Sequence, residues 1–381
     1  MRLLHHIPRR LLVSLVLLLL FSVPWWTLLG SPLSWPDPLL LVGTAVFALA
    51  FLGLPVLMIL GHGAAQRDAA AALGDTMLGT AWLLFSWSVI GNLAGLVLLA
   101  AGVPDPARSR IVAVSVLVAV VVLLGWGMFE ARRVPRVREL DVVLPRLGAG
   151  LDGLRLVVVT DTHFGPIDRA GWSTKVTDTV NALHPDIACH AGDLADGPVE
   201  KRRHQVDPLA KVHAELGKFY ITGNHEYFGD APGWIDHMAS IGWQPLHNLH
   251  EVVCRGGDRL VLAGVDDPTG AGLAGHGPDL SAALTGADPE LPVVLLAHQP
   301  KQVTEAVEAG VDLQISGHTH GGQIWPFRYL VRLDQPVVAG LSRHGERTQL
   351  YTSRGTGFWG PPLRVFAPSE ITVLTLRAPG A

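Results

Sequence analysis

Five short clusters in the second half of the chain carry side chains that can do chemistry together. They are Asp161-Thr162-His163, Gly192-Asp193, Gly223-Asn224-His225-Glu226, His298, and Gly317-His318-Thr319-His320-Gly321-Gly322-Gln323. Two divalent cations about 3.5–4 Å apart can hold both oxygens of an in-line displacement at phosphorus. Such a pair needs a ligand that spans it, which a carboxylate can do. It also needs neutral donors that complete each shell without stacking negative charge against an anionic substrate. Asp161 and Asp193 offer carboxylates, Asn224 an amide oxygen, and His163, His298, His318 and His320 imidazoles. Each cluster is weak alone: with 17 histidines in the chain an Asp-x-His arises by chance, and Gly-Asp is a common turn. His-x-His after a glycine says more, because two imidazoles on one extended segment invite a metal. All five clusters in one domain, at equivalent places, leave coincidence a poor account.

Those places are strand ends. The clusters close short β-branched runs at 154–159, 186–189, 218–221, 292–296 and 311–315. In an open α/β sheet the carboxyl ends of neighbouring strands line one crevice, so residues distant in sequence meet there. Helices fit the intervals, as at 172–183, where Val176, Val180 and Leu183 share a face, and at 302–309. Glycines beside the clusters answer a need for positive φ or close backbone approach. Cys189, inside a run, reads as a small buried residue. With Cys254 it makes the whole cysteine complement, which excludes a disulfide framework or thiolate zinc site.

The ordered set of clusters resembles the calcineurin-like metallophosphoesterase superfamily, and the resemblance spans the soluble half. Gly264-Val265-Asp266-Asp267, the Gly-Gly-Gln at 321–323, Ser353-Arg354-Gly355 and Pro368-Ser369-Glu370-Ile371-Thr372 resemble one bacterial branch of membrane-associated phosphodiesterases. That branch is often compared with enzymes acting on UDP-2,3-diacylglucosamine. The resemblance implies an α/β fold, a four-layer α/β/β/α sandwich with the site at strand ends. It implies one cation on Asp161, His163, Asp193 and His320, a second on Asp193, Asn224, His298 and His318, and Asp193 shared. A hydroxide between the ions would be the nucleophile, and His225 would protonate or steady the leaving oxygen. Mixed imidazole and oxygen ligands suit Mn, Fe or Zn, and also Co or Ni. Glu226 either orients His225 or starts the following helix near its positive end. Asp266 and Asp267, before Pro268, read as a solvated turn rather than a third metal site or an acid/base pair. His184, His190, His204, His213, His237, His247, His250, His276 and His344 match no ligand position and are expected at the surface or internally satisfied.

The first third of the chain has another character. Stretches at 11–29, 38–60, 77–101 and 111–129 are each long enough to cross a hydrocarbon core and contain no Asp, Glu, Lys or Arg. This predicts a four-helix transmembrane domain over 1–130, a basic juxtamembrane linker over 131–152 and the metallophosphoesterase domain over 153–381. Arg2, Arg9 and Arg10 also allow a signal-peptide reading of the first stretch, but no convincing cleavage site follows, and Pro24-Trp25-Trp26 suits an interfacial end. Arginines flank both ends of the helical region, with Arg132, Arg133, Arg136 and Arg138 after the fourth stretch. By the positive-inside tendency, the protein is expected to be multi-pass in the cell membrane with its catalytic domain in the cytoplasm. The inner loops do not discriminate, with Arg67 in one and Arg108 and Arg110 in the other. The arginine cluster is expected to rest on anionic headgroups.

A net charge of −4 with no long basic block excludes an evident nucleic-acid groove. The expected partner is a phosphate-ester substrate. A membrane anchor raises the effective concentration of lipid headgroups, which makes a phospholipid or nucleotide-linked lipid a candidate. Arg328 and Arg332 could meet phosphate or simply form a solvated face. The alternatives are a phosphomonoesterase or protein phosphatase on the same scaffold, and a non-catalytic metal-binding membrane sensor. A transporter with a regulatory domain gains little support from spans without charged residues.

Overall fold

The computed structural model describes residues 9–32 and 35–380. Arg2, used for orientation, lies outside the described residues, as does the start of any signal peptide. The chain divides into a helical unit ending at Phe129, which takes in Gly360–Leu363, and a second unit comprising Glu130–Trp359 and Arg364–Ala381.

The helical unit contains α1 (Arg9–Trp25), extended by a π-turn at Trp26–Gly30, α2 (Asp37–His62), α3 (Asp68–Ala100) and the bulk of α4 (Ala107–Arg132). All four are long and apolar enough to cross a membrane, with mean hydropathy between 2.0 and 2.7. Leu20, Phe21, Leu54 and Ala81 pack inside, while Leu41, Leu49, Ile59 and Val97 point outward and exposed. Apolar side chains on both faces suit a hydrocarbon surround rather than water. Helix α3 starts nine residues before the expected 77. Its first turns are alanine-rich and favour helix, and they carry Asp75, which lies 2.9 Å from His62.

The second unit is built from short strands, of which central ones such as Ile187–Ala191, Val293–Leu296 and Leu313–Ser316 are buried on both faces. The first sheet has the order β1 (Arg136–Val143), β12 (Glu370–Arg377), β2 (Leu154–Val159), β3 (Ile187–Ala191), β4 (Gly217–Ile221) and β5 (Gln244–Pro245). The other runs β10 (Gly340–His344), β11 (Thr348–Thr352), β9 (Leu313–Ser316), β8 (Val293–Leu296), β7 (Asp258–Gly264) and β6 (Leu249–Arg255). Side chains alternate across a strand. Leu154, Leu156 and Val158 therefore join Val294, Leu296, Leu313 and Ile315 in a core between the sheets. Val157 and Val159 face outward onto α5 (Ala170–Ala182), beside α6 (Val199–Val206) and α8 (Ala231–Ser240). Val293 and Leu295 face outward toward α9 (Leu280–Ala283) and α10 (Val303–Glu308) on the opposite side. The result is the four-layer α/β/β/α sandwich.

Every strand expected at a cluster is present, but they divide between the sheets, β2, β3 and β4 in one and β8 and β9 in the other. The crevice is thus formed by the carboxyl ends of two packed sheets. The expected linker also differs: residues 136–143 form an edge strand, parallel to β12 from Arg136↔Glu370 to Val143↔Arg377. Its arginines obscured an extended segment whose Val142 is fully buried. Arg136 pairs with Glu130, and Arg138 lies 3.6 Å from Glu370. Two arginines expected against headgroups thus engage carboxylates of their own unit.

Candidate metal centre

All seven candidate ligands converge. Asp161 Oδ1 accepts from the His318 amide at 2.7 Å and lies 3.6 Å from His320 Nε2. His163 and His320 bring their Nε2 atoms to 3.0 Å of each other. Asp193 Oδ2 stands between two imidazoles, 3.5 Å from His163 Nε2 and 3.1 Å from His298 Nε2. Asn224 Oδ1 lies 2.8 Å from His318 Nδ1. Asp161, His163 and His320 form one group able to hold a cation, and Asp193, His298 and His318 form another. His163, Asp193 and His225 form a third group that overlaps the first two.

Local backbone explains this convergence. Asp161, His163, Asp193, His318 and His320 all have φ between 43° and 68°. Left-handed non-glycine residues cost about 1–3 kcal/mol each and persist only where the surroundings over-determine them. Here the turns brace one another, with the Asp161 amide donating to Gly192 O, the His163 amide to Asp193 O and the Gly317 amide to His298 O. Gly317 is required by close approach, since a Cβ there would overlap Asp161 Oδ2 and Thr160 Oγ1.

The donor set fits cations on the structure's own terms. Asp161 Oδ2 is buried without a hydrogen-bond partner, which native interiors rarely tolerate. Burial is the largest influence on Asp193 and would raise its pKa, yet His298 and His225 together hold the carboxyl well below its usual range. Burial, with His298 beside it, pushes His318 down to about 3, and burial with His163 depresses His320, so both are neutral donors. His298 Nδ1 lies 2.8 Å from the Ala191 carbonyl and donates to it, turning Nε2 toward Asp193.

His225 sits at the rim, 15% exposed by its side chain, its amide donating to Asp193 Oδ1 at 2.9 Å. Its ring is oriented by Asp196, a residue the sequence reading did not single out. Asp196 Oδ1 lies 2.7 Å from His225 Nδ1 and 2.9 Å from His163 Nδ1. Burial opposes protonation of His225, but Asp193 and Asp196 prevail and raise it to about 9. The signal for Asp196 was its place three residues after Asp193.

Glu226 does not orient His225. Its fully buried carboxylate accepts from the amides of Gly223, Asp193, Leu194 and Ala195. The helix-start reading holds, because α7 (Asn224–Phe228) begins with that Gly223 bond, and the same group closes the 193–195 turn. Arg169 and Arg364 are two buried guanidiniums also missed. Arg169 donates to the Thr162 and His163 carbonyls, and Arg364 donates to the His320 carbonyl and lies 3.1 Å from its Nδ1. Only folding reveals them, since nothing in their flanking residues distinguishes them. Arg328, on α11 (Arg328–Val331), and Arg332 are exposed. His190 is buried and driven to about 3 by desolvation, then by His298.

The family model described as calcineurin-like phosphoesterase matches residues 154–322. A transmembrane protein with metallophosphoesterase domain from Danio rerio is 38% identical over 269 residues, covering 68% of this chain and 62% of that protein. An uncharacterized metallophosphoesterase of Helicobacter pylori is 37% identical, covering 67% and 68%. One from Campylobacter jejuni is 32% identical over 338 residues, 87% of this chain and 88% of that protein. This chain belongs to the calcineurin-like metallophosphoesterase family. The metallophosphoesterase spans about three fifths of the zebrafish and Bos taurus relatives it matches. Its relatives include bacterial and vertebrate proteins. The transmembrane relatives and the four apolar helices together make it a membrane-associated protein. His/Asp clusters able to bind divalent metal lie where the family match falls.

Proposed function

We propose that this metallophosphoesterase hydrolyses phosphate esters at the membrane, phosphodiesters foremost, with two divalent cations of the Mn, Fe or Zn class. The observation that carries this reading is Asp193 Oδ2 between His163 Nε2 and His298 Nε2, with a candidate donor group on either side. Asp161, His163, Asp193 and His320 would hold one cation, and Asp193, Asn224, His298 and His318 the other. When bound, such a pair polarises the phosphoryl oxygen and acidifies the attacking water.

The chain's own residues do the rest. With cations bound, Asp161 and Asp193 would supply the negative charge, and the imidazoles and Asn224 would act as neutral donors that leave room for an anionic ester. His225 holds a proton at neutral pH and stands at the opening, where it delivers that proton to the departing alkoxide. Asp196 keeps the ring turned for this transfer and offsets its charge. The proposed substrate is a lipid or nucleotide-linked lipid, of which UDP-2,3-diacylglucosamine is an example, because a membrane anchor raises the effective concentration of lipid headgroups. Arginines at both ends of the helical region support a multi-pass arrangement with the domain in the cytoplasm.

The test is a panel of lipid diesters, soluble diesters and monoesters offered to full-length protein in detergent, alongside metal analysis. Diester turnover that requires bound metal and favours acylated substrates supports the reading. Failure to hydrolyse any ester while metal is retained leaves the binding-only alternative. Turnover indifferent to the acyl chains removes the lipid proposal.

A further inference from the structure

A second knot of imidazole and carboxylate lies in the same unit, outside the seven candidate ligands. The sequence reading put Asp266 and Asp267 in a solvated turn, yet they are 1% and 0% exposed. Burial is a tertiary property that the Asp-Asp-Pro motif does not reveal. His247 Nδ1 lies 2.6 Å from Asp266 Oδ1, and His276 Nδ1 lies 3.5 Å from Asp266 Oδ2. One donor atom from each of the three lies within 4.8 Å of the others. Tyr227 places its hydroxyl 3.3 Å from His276 Nδ1.

Three segments supply these groups, and Asn248 holds them in place. With φ at +53°, its side chain accepts from the amides of Asp266 and Asp279 and donates to the Gly277 carbonyl. The Gly277 amide in turn donates to Asp266 Oδ2 at 3.1 Å. The donors are therefore arranged by the fold itself, as a built site requires. His247 engages one oxygen of Asp266 and the Gly277 amide the other, and the His276 ring closes on the same carboxylate and packs against His247. Two imidazoles and a carboxylate, with a fourth place for a hydroxyl or water, are a ligand set for a zinc-class cation. His247 is 34% exposed by its side chain, which leaves an entry path.

We propose that His247, Asp266 and His276 bind one further divalent cation of the zinc and cobalt class, separate from the candidate centre. It clips the loop after β7 to the turn before β6. Two links lead from it toward the candidate centre. Asp267 accepts from Gln299 Nε2 at 2.8 Å, next in sequence to His298, and Tyr227 shares α7 with Asn224 and His225. The cation steadies those neighbours and takes no part in the reaction.

Metal content per chain, measured on full-length protein loaded with Zn2+ in detergent, tests this. His247→Ala and His276→Ala should each lose about one equivalent relative to wild type, while turnover of a model diester stays within severalfold. Because the reading is a difference between proteins, it holds whatever the candidate centre contains. Equal zinc content in all three proteins overturns the proposal. A second measurement needs no variant: an anomalous zinc peak among the three side chains in crystals of the wild type supports it. Peaks confined to the candidate centre overturn it.

Discussion

At the scale of single residues, the proton on His225 decides how easily an alkoxide departs. Replacing His225 with alanine should lower kcat by about 10²–10⁴-fold, the usual worth of a placed acid, with metal content unchanged by elemental analysis. A free imidazole releases its proton near 6.5, whereas Asp193 and Asp196 keep this one charged up to about 9 despite burial. Between those values wild type is protonated where a free histidine is not. In metal-stripped protein, the ring's NMR titration should therefore show a midpoint near 9, moving down toward the ordinary range in Asp196→Asn. The activity profile of that variant should lose its alkaline limb at correspondingly lower pH. An unchanged His225 midpoint in Asp196→Asn would show that Asp196 has no hold on the ring.

At the scale of elements, strand ends set ligand positions, and small changes in a turn propagate to a carboxylate. Gly317→Ala would push a methyl group into Asp161 Oδ2 and Thr160 Oγ1. Displacing a braced ligand typically weakens metal affinity about 10–100-fold, measurable by competition with a chelating dye, and circular dichroism should stay near wild type. Much of this level was legible in the sequence. The runs 156–159 and 293–296 are apolar throughout because both faces are covered, and each ends in its polar cluster. Strand β1 was hidden, because its arginines meet Glu130 and Glu370 only after folding. Asp196 was hidden for a related reason: its two histidine partners, 33 and 29 positions away, share its oxygen only in three dimensions. Asp266 and Asp267 were misread because a turn composition says nothing of what packs over it.

At the scale of the whole molecule, the helices and the sandwich have separate physical demands, hydrocarbon for one and a hydrated crevice for the other. A phosphatase reporter that works only outside the cytoplasm, fused after residue 381, should stay silent if the proposed orientation holds; strong colour would invert it. The strand order has its own implication for biosynthesis. β12 sits between β1 and β2 in the first sheet, yet it leaves the ribosome after every other strand of both sheets. Until it arrives, the nascent chain carries an open slot with two unpaired edges, the kind of template that invites association with other chains. Stalling translation just before residue 370 should therefore yield a protease-sensitive, chaperone-bound intermediate, and release of the last strand should close it in a single late step.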